Sequence, residues 1–176
     1  MNVLVRTSAL RLPADRRRRS PSMVHSGINA SDTRVAIFGG GNFGTAMACV
    51  LGRKGVSVTM VVRKAEVAES INLRHINSCH QSDLLLPHLV CATTDPAEGF
   101  VNVDFIFHAV PVQFSRDALA QVAHLIPADV PVISLSKGIE TSTLCLMCDV
   151  FSETLGEEQP VAVLSGPPLA SRVAGG

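Results

Sequence analysis

The sequence predicts a doubly wound α/β domain, a mostly parallel sheet with helices on both faces. Three observations point to it. Short β-branched runs alternate with segments of helical periodicity. The strand-like runs are apolar throughout rather than half polar, which suits strands covered on both sides. A glycine cluster, Gly39-Gly40-Gly41, falls where the first strand of the body hands over to the first helix.

Each element follows from local signals. Residues 34–39 (R-V-A-I-F-G) form a short apolar strand that breaks at the glycines. From 42 to 54, Phe43, Ala46, Met47, Val50 and Leu51 recur at spacings of three and four, and Gly55 stops the helix. Residues 56–62 are a second β-branched strand and 64–74 a helix. The stretch 74–88 is polar and His-bearing, a loop ended by Pro87. A third strand over 88–92 and a short helix over 95–100 follow. Residues 103–109 make a fourth strand before Pro111, and 114–125 a helix before Pro127. The last elements are a strand at 130–135, a helix at 141–155 and a sixth strand at 161–164, which runs into Gly166-Pro167-Pro168. No internal repeat of solenoid length is present.

Length and composition agree. The chain has 176 residues, enough for one well-filled domain and short for two. Its 47% apolar and 17% charged content argues against disorder and against a charged helical rod. No apolar stretch approaches the roughly 18 residues needed to span a bilayer. Zero formal charge hides an asymmetry: residues 1–33 hold six Arg against Asp15 and Asp32, a net +4, leaving −4 on 34–176. A body of that sign offers no footprint for nucleic acid. Residues 1–33 are Arg-rich, Ser-rich and poor in acid, the composition of an organellar transit peptide, and are expected to be a disordered leader outside the domain at 34–176. Competing readings are an untranslated region with Met23 as the true start, or a nucleic-acid-binding arm. The five cysteines do not form a secreted disulfide framework. Cys145 and Cys148 make a C-x-x-C that falls inside the expected helix 141–155, and they read as buried small hydrophobes rather than metal ligands. His75, Cys79 and His80 read as a polar loop; no metal is expected.

The chemistry resides in three places. Gly39, Gly41 and Gly44 satisfy G-x-G-x-x-G between a strand and a helix. Gly39 allows the tight turn, Gly41 lets the backbone approach a pyrophosphate, and Gly44 lets the helix pack closely on the strand. Unpaired N–H groups and the helix dipole then face the phosphates. The second strand ends in Val61-Val62-Arg63-Lys64, with a guanidinium where an acid would hold the adenosine ribose. NADP is therefore permitted beside NAD; a solvated helix start is the competing reading of Arg63. Lys137 lies just after the fifth strand, at the carboxyl edge where open α/β sheets bind ligands, and could hold an anionic substrate or polarise a carbonyl. Ser134 and Lys137 also match S-x-x-K, but the companion S-D-N and K-T-G motifs are missing.

The strings V-A-I-F-G-G-G-N-F-G-T-A-M-A (35–48), L-P-H-L-V-C-A-T-T-D (86–95), H-A-V-P-V-Q-F (108–114), S-L-S-K-G-I-E (134–140) and A-V-L-S-G-P (162–167) occur in order. Together they resemble the NAD(P)-dependent glycerol-3-phosphate dehydrogenases over about residues 34–174. The H-A-V-P-V-Q-F-S form is similar to the plastid-type branch. The resemblance implies a Rossmann-type cofactor domain and reversible hydride transfer between dihydroxyacetone phosphate and sn-glycerol 3-phosphate, in glycerol-3-phosphate metabolism and phospholipid biosynthesis. It implies that Gly39, Gly40, Gly41, Asn42, Phe43 and Gly44 cradle NAD or NADP and that Arg63 lies by the adenosine. Phe114 would pack on the cofactor, Lys137 would touch substrate and cofactor, and Gly166 and Ala170 would border the site. It allows a homodimer in the full-length form, and with the leader it places the protein in a plastid or other organelle, the alternative being the cytoplasm. Two departures accompany it. Pro168 replaces a small polar residue and removes a donor. The helical second domain, which carries the family's catalytic lysine, is expected to be missing, so this chain alone is expected to be inactive. An inactive truncated dinucleotide-binding module is the alternative reading, and a sister dehydrogenase with another phosphorylated or hydroxy-acid substrate is a third.

Overall fold

The computed structural model describes residues 2–5 and 29–165. Its seven strands are β1 (Asn2–Val5), β2 (Arg34–Phe38), β3 (Ser57–Val61), β4 (Val90–Thr93), β5 (Phe105–His108), β6 (Val132–Ser134) and β7 (Val161–Ser165). Five helices connect them: α1 (Asn42–Arg53), α2 (Ala65–Arg74), α3 (Pro96–Gly99), α4 (Val112–Val122) and α5 (Met147–Leu155). A 3-10 turn over Ala123–Leu125 extends α4. The strands lie in the order β1-β7-β6-β5-β2-β3-β4. β2 to β7 are parallel, and β1 pairs antiparallel with β7, Asn2 opposite Ser165 and Val5 opposite Ala162. This is the doubly wound, Rossmann-type order, in which the chain winds outward from β2 to one edge and then restarts at β5 on the other side.

Alternation along the strands distributes the core. Val35 and Ile37 of β2, with Val58 and Met60 of β3, pack against Met47 and Ala48 of α1 and Val67 and Ile71 of α2. Ala36, Val61, Ile106 and Val132 point the other way, into Phe100, Leu119, Val122, Val150 and Phe151. Both faces are therefore covered, as the uninterrupted apolar runs require. At the outer edge the Asn72 side chain takes the place of a further strand. It donates to the Ala92 carbonyl and accepts from the Ala92 N–H, both at 2.8 Å, so the rim of β4 is blunted.

Three expectations are corrected. Asn2–Val5 belong to the sheet rather than to a leader apart from it, because β7 would otherwise present unpaired backbone groups and N-V-L-V is a strand-forming string. Residues 6–28 lie outside the described residues. The helix expected at 141–155 starts only at Met147. Thr141 and Thr143 spend their side chains on Gln113 and Glu140, Leu144 takes a left-handed φ of 60°, and the Asp149 carboxylate accepts from the Leu146 N–H, 3.1 Å away, to open the helix there. Cys145 therefore precedes α5 and Cys148 sits in its first turn, both half-buried. Of the five thiols only Cys49 is buried. Burial pushes its thiol up, which keeps it protonated and unreactive.

Candidate functional site

The chain leaves β2 at the point where its two neighbours diverge. Gly39 donates to the Val61 carbonyl of β3 at 3.0 Å, and Ala109, just past β5, donates to Phe38 of β2 at 2.8 Å. A crevice at a reversal of winding, outside the carboxyl ends of the strands, is the usual ligand site of such sheets. Here Gly39 and Ala109 face each other across it. A Cβ on Gly39 would lie 2.8 Å from the Ala109 carbonyl carbon, and the residue holds a φ of +117°, so only glycine serves. One on Gly44 would lie 2.4 Å from the Gly39 carbonyl oxygen, which explains the tight seat of α1 on β2. One on Gly40 would meet Val62 Cγ1 at 2.7 Å.

Gly41 differs from all three. A Cβ there would meet nothing within 4 Å among the described residues, and its φ of −75° is open to any residue. Space, rather than fold geometry, is what a glycine preserves at this position. Gly41 is also the N-cap of α1 and carries no side-chain cap; the first bond of the helix runs from the Thr45 N–H to the Gly41 carbonyl at 2.9 Å. The N–H groups of the opening turn thus lack intrahelical partners and point, with the positive end of the dipole, into the open space. A pyrophosphate fits that arrangement by shape and by charge.

The other expected residues gather on the same rim. Phe43, in the first turn of α1, lies under Lys137: the lysine Nζ stands 5.0 Å from the ring centroid. This contact joins the glycine turn to the loop after β6, so two sequence-distant motifs share one crevice. Asn42 is exposed beside them. Arg63 follows β3 by two residues, is exposed, and has no ion-pair partner among the described residues. Phe114, in the first turn of α4, is 65% exposed, which leaves an aromatic face for a ligand to cover. Gly166, Pro168 and Ala170 lie outside the described residues. A separate cavity of about 580 Å³ over β3 and β4, bordered by Thr59, Cys91, Thr93 and Glu98, includes none of the crevice residues.

Several supporting residues are not among those expected from the sequence. Asn77, in the loop after α2, is fully buried. Its amide donates to the Gly40 carbonyl at 2.9 Å and to Thr45 Oγ1 at 2.8 Å, and its oxygen accepts from the Cys79 and His80 N–H groups, both at 3.1 Å. It fastens the polar loop to the glycine turn. His108 ends β5, fully buried against Phe38 and Phe151. Burial lowers its pKa to about 4, so the ring is neutral at pH 7. Ser136 donates to the Val110 carbonyl and hence accepts from His108 Nδ1, 3.2 Å away. Glu140 is buried yet ionised: Arg116 reaches it through Nε and Nη2 at 2.9–3.1 Å, and Thr143 donates to it as well, which holds its carboxyl below the usual carboxylate range. His108, Gln113, Ser136 and Glu140 lie inside the strings H-A-V-P-V-Q-F and S-L-S-K-G-I-E, whereas Asn77, Arg116 and Thr143 lie outside every motif.

Comparison with known proteins agrees with this geometry. Residues 34–176 match the family described as "NAD-dependent glycerol-3-phosphate dehydrogenase N-terminus". A chloroplastic glycerol-3-phosphate dehydrogenase [NAD(+)] of Oryza sativa subsp. japonica is 41% identical over 148 residues, covering 82% of this chain and 34% of the relative. A glycerol-3-phosphate dehydrogenase [NAD(P)+] of Corynebacterium diphtheriae is 40% identical over 142 residues, 80% of this chain and 43% of that one. Among solved structures, glycerol-3-phosphate dehydrogenase from Coxiella burnetii superposes with a TM-score of 0.75 at 29% identity, covering 81% of this chain and 43% of that one. The chain thus spans between about a third and two fifths of the relatives it matches.

Proposed function

Since the chain belongs to the NAD-dependent glycerol-3-phosphate dehydrogenase N-terminus family, we propose that it supplies the NAD(P)-binding half of an enzyme interconverting dihydroxyacetone phosphate and sn-glycerol 3-phosphate. The observation that carries this reading is the space over Gly41, clear of the described residues, bounded by the start of α1 and bridged by Lys137 on Phe43. Bound there, the nicotinamide supplies or accepts the hydride. The chain's own part is to hold and to orient. The amides that open α1 take the pyrophosphate, and Phe43 and Phe114 provide apolar walls that keep water from the reacting face. Lys137 presents its ammonium to the anionic substrate or to the carbonyl oxygen on which charge develops during reduction. The resemblance alone assigns Gly166 to the substrate and Ala170 to the cofactor, and both lie outside the described residues. The matched relative is about three times as long as the stretch it shares with this chain, a homodimer belongs to the same reading, and the chloroplastic relative favours a plastid.

Arg63 sets the choice between the two nicotinamides. An exposed guanidinium beyond β3 pairs with a 2′-phosphate and offers an NAD ribose no carboxylate. Arg63→Ala is expected to weaken NADPH about tenfold, near 1.4 kcal/mol, and NADH less than threefold. Titration calorimetry of both nucleotides against both proteins checks it. Equal losses would mean that the side chain stacks on adenine rather than pairing with phosphate.

A further inference from the structure

Lys137 and Gly138 form a two-residue span whose ends are fastened by different partners. On one side, the Leu135 N–H donates to the His108 carbonyl at 2.8 Å, and Ser136 is tied to Val110. On the other, the Gln113 amide grips two backbone positions at once. Its Nε2 donates to the Ile139 carbonyl at 2.9 Å, and its Oε1 accepts from the Thr141 N–H at 3.0 Å and the Thr141 hydroxyl at 2.8 Å. One helical turn further on, Arg116 holds the neighbouring Glu140 and also reaches Glu153 of α5 at 2.6 Å. Gly138, with a φ of +96°, makes the reversal between the two fastenings.

Resting on the dinucleotide reading above, we infer that Gln113 is a positioning residue acting through Lys137. By clamping Ile139 and Thr141 to α4, it fixes the span that aims the lysine across the crevice at Phe43. The physical reason is entropic. A lysine has a long, rotamer-rich side chain, so its ammonium is placed only as well as its backbone is. Gln113 is exposed, and water can replace its bonds when it is removed, so the fold loses little while the aim of Lys137 is lost. Phe114 leaves the same turn of α4, so this one turn would both wall the crevice and orient its cation.

A double-mutant cycle on the full chain separates this role from a general structural one, with NADH as the probe. Gln113→Ala is expected to weaken NADH about fivefold, and Lys137→Ala by a similar factor. The double variant is expected to be no weaker than Lys137→Ala alone, with thermal midpoints within about 2 °C throughout. Gln113→Glu keeps the acceptor for Thr141 but loses the donor to Ile139, and should restore part of the loss. Equal NADH affinity in Gln113→Ala and the wild type overturns the inference, as does the same fold-loss with and without Lys137. An effect of Lys137→Ala too small to measure overturns it too. A wild-type chain that does not bind NADH at all overturns the dinucleotide reading itself, and this inference with it.

Discussion

Gly41→Asp leaves the fold standing and abolishes dinucleotide binding. Among the described residues a Cβ at this position meets nothing within 4 Å, and the backbone angles, φ −75° and ψ 178°, suit any residue. Aspartate is among the best N-cap residues, and α1 has no side-chain cap, so the substitution should hold or slightly raise stability. The same carboxylate would occupy the amides that a pyrophosphate needs and would repel its charge. NADH affinity is expected to fall at least about 100-fold, near 2.7 kcal/mol, while the thermal midpoint stays within about 2 °C of the wild type or above it. Gly41→Asn, capped but uncharged, should lose less. Calorimetry and thermal unfolding together check the pair. Undiminished binding in Gly41→Asp would remove the glycine turn from the site.

Asn77→Ala is the complementary case, in which stability and binding fall together. The asparagine is fully buried and satisfies four groups: the Gly40 carbonyl, the Thr45 hydroxyl, and the Cys79 and His80 N–H groups. Thr45 retains its bond to the Gly41 carbonyl at 2.9 Å, and Cys79 and His80 are exposed enough for water to reach them, so the four losses do not add in full. A cost of about 2–4 kcal/mol is expected, with a thermal midpoint lower by roughly 10 °C. Because the amide also holds the turn between Gly39 and Gly41 in shape, NADH affinity should drop about tenfold in the fraction that remains folded. Asn77→Asp keeps the acceptor for Cys79 and His80 but sets a carboxylate against the Gly40 carbonyl, and should bind no better than the alanine variant. An Asn77→Ala protein with wild-type midpoint and wild-type affinity would contradict this account of the loop.

What could be read in advance, and what could not, divides along the range of the interactions. The strands from 34 onward were legible because each is an apolar run of the right length between breakers, and burial on both faces needs little more. Gly39, Gly41 and Gly44 were legible because a strand–turn–helix passage constrains glycines locally. The position of Lys137 at the carboxyl edge was legible because it lies three residues past the end of β6. The pairing of Asn2–Val5 with β7 was not legible, since it joins residues some 160 apart and four apolar residues in an arginine-rich stretch carry little signal. The late start of α5 was hidden for a similar reason: periodicity continues through Leu144 and Leu146, but Thr141 and Thr143 are claimed by Gln113 on α4 and by Glu140. Asn77 is the clearest loss. A single asparagine in a polar loop looks solvated, and only the folded chain turns it inward onto a turn more than thirty residues earlier.

Backbone amide resonances followed during NADH addition test whether a dinucleotide sits over the glycine turn with Lys137 across from it. The largest shifts are expected at residues 39–44 and at Lys137, with smaller ones near Arg63 and Phe114. Silence at those amides, or movement confined to the cavity beside Thr59, Cys91 and Thr93, would contradict it.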